Sequence, residues 1–132
     1  MIGVTFGAFD PLHYGHIRLL KRARARCDFL IVGVSSDEYI RKFKNREPFQ
    51  PLKKRMETVR AVRYADLVFP QEIMTTPQRA KESFLRKIKE FRIFVGSDWK
   101  GKFSGEGLGC EVVYLPRTRN ISSTKIRKWS AQ

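Results

Sequence analysis

The chain is poor in the groups that staple, anchor or ligate. Its 132 residues include two cysteines, Cys27 and Cys110, too few for a disulfide framework or a cysteine metal cluster. Reduced thiols near buried elements are the expectation, as in the cytoplasm. No run approaches the roughly 20 apolar residues of a membrane span, and the N-terminus opens into a strand-like stretch rather than a secretory leader. A soluble, cytoplasmic protein without membrane contact is therefore expected. Acids are scarce, 13 against 27 Lys and Arg, and no dense carboxylate cluster marks a metal cage. The GxGxxG fingerprint is missing after the first apolar run, which counts against a dehydrogenase. There is no internal repeat, low-complexity tract or linker. Histidine is the rarest informative residue: there are two, both within Gly7–His16.

What is present suits one domain spanning 1–132, with 42% hydrophobic residues to build a core. The net charge of +14 favours polyanionic partners such as nucleoside triphosphates, phosphorylated metabolites or nucleic acids. A solvated helix face accounts for much of Arg18, Lys21, Arg22, Arg24 and Arg26, so charge alone selects no partner.

Hydrophobic periodicity alternates between strand and helix. Ile2, Val4 and Phe6 form a strand. Ile17, Leu20, Ala23 and Cys27 have the spacing of a buried helical stripe. Phe29–Val34 is apolar enough for a strand covered on both faces. Ser35-Ser36-Asp37-Glu38 caps a short helix ending near Phe43. The two-proline stretch from Lys44 to Pro51 reads as a basic loop. A helix from Leu52 buries Met56, Val59 and Val62, and a strand follows at Leu67–Phe69. Thr75-Thr76-Pro77 starts a helix towards Phe91, then come strands at Ile93–Val95 and Glu111–Leu115. A last helix from Ser122-Ser123-Thr124 is expected to turn Ile126 and Trp129 inward. The order implies an α/β, Rossmann-like, doubly wound, parallel five-stranded sheet with helices on both faces. Ligands of such sheets bind beyond the C-terminal strand ends, where strand order reverses. The tip of the first strand, the Gly96–Lys102 turn and the Arg117–Thr124 segment should converge there.

The histidine decapeptide, Gly7-Ala8-Phe9-Asp10-Pro11-Leu12-His13-Tyr14-Gly15-His16, lies between a strand and a helix. A helix start presents unpaired N–H groups and the positive end of the peptide dipoles, a natural anion site. His13 and His16 are i and i+3, so they share one helical face. Two imidazoles beside a phosphate cradle suit an enzyme that steadies charge developing on transferred phosphorus.

Three segments in order, FD-x-x-H-x-G-H at 9–16, GSDWKGKF at 96–103 and PRT-x-x-ISSTKIR at 116–127, resemble the nucleotidyltransferases of the HIGH-motif superfamily. The resemblance is closest to the glycerol-3-phosphate cytidylyltransferases and covers essentially the whole chain. The HxGH motif specifies the superfamily; GSDWKGKF with YLPRT points to the cytidylyltransferase branch. The resemblance implies attack of a substrate phosphate on the α-phosphorus of a nucleoside triphosphate, CTP in the first reading, with loss of pyrophosphate and no covalent enzyme intermediate. The protein then supplies orientation and charge stabilisation. The acceptor implied is a small phosphorylated alcohol, glycerol 3-phosphate first.

By the same match, His13 and His16 contact the triphosphate, and Gly7, Ala8, Phe9, Asp10 and Gly15 shape the turn that approaches it. Ser122, Ser123 and Thr124 offer a second anion site at the last helix start, a role compatible with capping. Arg117 and Arg55 match family arginines suited to a bidentate phosphate grip. Lys42 and Lys44 fall where the family places mobile lysines over the triphosphate. Arg63 resembles an arginine near the acceptor phosphate or a subunit contact. Asp98 and Trp99 fall near the acceptor or base, Trp99 with a packing role as its alternative. Mg²⁺ is implied as a cofactor brought by the nucleotide, with no dedicated protein metal ligands, and a homodimer is expected.

Two departures from the family pattern stand out. Ala8 stands where a small hydroxyl residue is usual, removing one hydrogen bond to phosphate. Arg119 and Asn120 replace an acid and a glycine, which bears on base or acceptor choice. An adenylyltransferase of the same superfamily, using ATP, is the second reading. A nucleic-acid-binding module on this fold is the third, and no base-stacking or recognition-helix motif favours it.

Overall fold

The computed structural model describes residues 1–72, 91–97, 100 and 110–130. Five strands run parallel, and the described elements follow in chain order: β1 (Ile2–Gly7), α1 (Tyr14–Arg24), β2 (Phe29–Ser35), α2 (Asp37–Lys44), α3 (Leu52–Arg60), β3 (Leu67–Gln71), β4 (Phe91–Gly96), β5 (Glu111–Leu115) and α4 (Ser123–Ser130). The strand order is β3-β2-β1-β4-β5. Ile2 pairs with Phe29 on one side and Phe91 on the other, so β1 is central. Strand order reverses between β1 and β4, and their carboxyl ends define the crevice where this architecture binds ligands.

Alternation along the strands makes two apolar layers. On one face Leu30, Val32, Val34 and Phe94 meet Leu20 and Ala23 of α1 and Met56 and Val59 of α3. The other face carries Val4, Ile31, Ile93 and Val95, all buried. Residues 73–90, where a helix is expected, lie outside the described residues, so the described helices packed on the sheet, α1 and α3, share one face. Among the described residues no helix is long and apolar enough to cross a membrane.

Four expected inward residues differ. Ile17 is 38% exposed and Trp129 66% exposed, and Val62 and Ile126 are only partly buried. Helix α4 is held by polar contacts in its first turns rather than by an apolar stripe, and it buries no residue fully. Both cysteines are free thiols; Cys27 is buried, and burial pushes its thiol pKa up.

Candidate active site

The site begins with the turn after β1. Phe9 adopts a left-handed backbone (φ 51°), a conformation costing a side-chain-bearing residue about 1 kcal/mol or more. Its ring compensates by being almost fully buried and edge-on to His16 at 5.1 Å. Glycine precedes it for space: a Cβ on Gly7 would lie 2.9 Å from the Phe9 ring.

The histidine pair is built by the start of α1. His13 is the N-cap; its Nδ1 accepts from Gly15 N–H at 3.1 Å, and His13 N–H donates to His16 Nδ1 at 3.2 Å. The rings stack at 3.8 Å. Gly15 permits this, because a Cβ there would sit 2.9 Å from His13 Cε1 and 3.2 Å from Ile121. Both Nδ1 atoms accept, so hydrogen bonding assigns each neutral ring its proton on Nε2. Burial and the nearby Arg117 lower the His13 pKa. Burial, then His13 and Arg117, lower that of His16 to about 3. At neutral pH the pair offers uncharged Nε2–H donors.

The second helix start meets the first. Ser122 Oγ caps α4 by accepting Lys125 N–H at 3.2 Å. Ser123 Oγ donates to the Pro11 carbonyl at 2.9 Å. Arg127 donates to the Asp10 carbonyl at 2.7 Å and to Thr124 Oγ1 at 3.2 Å. Burial and the Arg46 charge lower the Arg127 pKa, against the pull of Asp10. A cavity of about 570 Å³ lies between the two starts. Its lining brings together His13, His16, Gly7, Ala8, Phe9, Asp10, Gly15, Lys44, Arg117, Ser122, Ser123 and Thr124.

Other expected residues stand elsewhere. Arg55 is fully buried and does not line the cavity. Its guanidinium donates to the carbonyls of Ala8, Ser35 and Gln50 and to Asp37 Oδ1 (2.7 Å). It clamps the ends of β1 and β2 instead of gripping a nucleotide phosphate. Lys42 is also outside the lining, its ammonium 5.5 Å from the Phe43 ring. Helical rotation separates it from Lys44, two residues on. Arg63 is exposed and lies 5.8 Å over Tyr64, away from the cavity. Asp98 and Trp99 lie outside the described residues.

Asp10 lines the cavity but its carboxylate is spent inward. It accepts from Phe49 N–H and Gln50 N–H, each at 2.8 Å, and from Arg46 at 2.6 Å. Burial opposes ionisation; these bonds and the Arg46 charge outweigh it and lower the pKa. Asp10 thus pins the basic loop over the turn. It is the only carboxylate among the described lining residues, and no described cluster of three or more His, Cys, Asp or Glu could hold a metal ion. Its oxygens do not fit a divalent ion while they hold the loop.

Sequence reasoning passed over Arg46, Arg127, Ser35, Gln71, Tyr39 and Thr118, all of which line the cavity. Arg127 had a signal, being three residues after Thr124 on the same helical face. Arg46 sat unmarked among the loop cations. Ser35 and Gln71 close β2 and β3, and strand order was needed to bring them here.

A parallel sheet whose order reverses beside two facing helix starts and a basic cleft is the architecture of a phosphate-ligand-binding α/β protein. A model of the cytidylyltransferase-like family matches residues 4–129, and the chain belongs to that family. It is 40% identical over 126 residues to a glycerol-3-phosphate cytidylyltransferase of Staphylococcus aureus, covering 95% of this chain and 91% of that one. It is 38% identical over 120 residues to an FAD synthase of Pyrococcus abyssi, covering 86% of this chain and 78% of that one. Among solved structures, a lipopolysaccharide core biosynthesis protein from Thermoplasma volcanium shares the fold, with a TM-score of 0.66 at 20% identity over 92% and 98% of the two chains.

Proposed function

We propose that the protein transfers a cytidylyl group from CTP to an alcohol phosphate, glycerol 3-phosphate first, releasing pyrophosphate. An acceptor phosphate oxygen attacks the α-phosphorus as the bond to the bridging oxygen of the leaving pyrophosphate breaks. The observation that carries this reading is the single cleft shared by the His13–His16 pair and the start of α4. Neutral Nε2–H donors of His13 and His16 stabilise charge on the transferred phosphoryl group. Lys44, Arg46, Arg117 and Arg127 hold the triphosphate. Mg²⁺ comes on the nucleotide's own oxygens, since Asp10 is committed to the loop. The protein acts as a cytoplasmic homodimer.

The near-full coverage of relatives named glycerol-3-phosphate cytidylyltransferase supports the choice of CTP. The similarity to an FAD synthase supports the second reading, adenylyl transfer from ATP. A pyrophosphate-release screen of CTP, ATP, UTP and GTP against phosphorylated alcohols and sugars separates them. CTP with glycerol 3-phosphate is the expected pair; turnover with ATP alone overturns the base assignment. Sedimentation of one 15.4 kDa species in place of a dimer would remove the homodimer.

A further inference from the structure

Besides its cationic groups, the cleft has, among the described lining residues, an uncharged polar end where β2 and β3 stop. Ser35 and Gln71 are register partners on these strands. They are only 2% and 3% exposed, yet both line the cavity. The Gln71 main chain is fixed, its carbonyl accepting Ser36 N–H at 2.9 Å. Its side-chain carbonyl accepts the Ser35 hydroxyl at 3.3 Å, long for an O–H···O bond. Among the described residues the Gln71 amide nitrogen has no acceptor. A primary amide has two donor hydrogens and two acceptor lone pairs, and the one described side-chain bond it makes is that long contact with Ser35.

Strand order places this end on one side of the β1 tip. Gly96 of β4, Arg117 after β5 and the start of α4 stand on the other. Tyr39, half-buried and packed 4.7 Å from the Phe43 ring, also lines the neutral end. An uncharged amide beside a hydroxyl suits a ligand that both donates and accepts without charge. That is an alcohol, not a phosphate.

We propose that Ser35 and Gln71 form the subsite that reads the acceptor's hydroxyl groups, and that Gln71 sets a preference for a polyol phosphate over its deoxy analogue. This rests on the transferase reading above, with the triphosphate on the Arg117–α4 side. The acceptor phosphate points to the histidine pair and its hydroxylated end reaches the tips of β2 and β3. A site built to bond a substrate hydroxyl rejects the analogue lacking it, because its own buried groups are left unpaired.

The test compares glycerol 3-phosphate with propyl phosphate, which keeps the carbon chain and phosphate and lacks both hydroxyls. The wild type should prefer glycerol 3-phosphate by about 10-fold or more in kcat/KM. Gln71→Met, close in volume, should shrink that preference to about 3-fold or less through KM for glycerol 3-phosphate. Constants for propyl phosphate and CTP should stay unchanged, with circular dichroism confirming the fold. An unaltered preference, or equal losses on both acceptors, overturns the assignment. No CTP turnover by the wild type with either acceptor is instead a failure of the transferase reading. Thermal-shift titration with each acceptor alone then still decides: greater stabilisation by glycerol 3-phosphate in the wild type than in Gln71→Met supports the subsite, and equal or absent shifts overturn it.

Discussion

His16 shows how one side chain is tuned by the backbone that carries it. Its Nδ1 is occupied by the His13 N–H and burial holds its pKa near 3, so it stays neutral throughout the physiological range. Removing this donor with His16→Ala should lower kcat by about 10²–10³-fold, measured by pyrophosphate release, with the fold intact by circular dichroism. Near-normal kcat would exclude the role. The same shift carries a stability consequence. The unfolded histidine titrates near 6.5, so between pH about 6.5 and 3 the unfolded chain binds a proton that the folded one does not. Stability is then full above that window and falls as pH drops through it. Asp10, with its lowered pKa, adds a further loss once the pH falls below the ordinary carboxylate range. Thermal melts at pH 7.5 and 4.5 should differ by about 2 kcal/mol more in the wild type than in His16→Asn; equal differences would refute the buried neutral imidazole.

At the level of elements, the basic loop and the two helix starts are held by few contacts. Asp10 ties the loop to the β1 turn, while Ser123 and Arg127 tie α4 to the same turn. Asp10→Asn keeps the shape but loses the charge facing Arg46. It should raise KM for the triphosphate about 10-fold while destabilising the fold by about 1–3 kcal/mol; an unchanged KM would show that loop position is irrelevant to nucleotide binding. Gly15→Ala places a Cβ 2.9 Å from His13 and should displace that ring, lowering kcat more than stability.

For the molecule as a whole, the charge of +14 surrounds a cleft whose own lining carries Lys44, Arg46, Arg117 and Arg127. Raising ionic strength from about 0.03 to 0.3 M shortens the screening length to below about 10 Å. KM for CTP should rise several-fold over that range, while kcat changes little. A salt-independent KM would separate the basic surface from substrate capture.

Much of this was readable in advance. Each described strand was visible in short apolar runs, because a sheet covered on both faces needs them. The paired site motifs were visible because helix starts require small, capping and glycine residues at set positions. Arg55 was misread because a guanidinium suits phosphate and carbonyl oxygens equally, and only burial tells them apart. Trp129 was misread because helical spacing states which residues share a face, not whether anything covers it.

Sequence alone determined the alternating parallel architecture, the histidine pair and the serine-rich helix start, since all depend on local periodicity and backbone chemistry. Tertiary structure decided which cations reach the cleft, that Asp10 faces the loop, and that Ser35 and Gln71 meet at its neutral end. Those outcomes depend on strand order and burial, which join residues tens of positions apart and which no local pattern encodes.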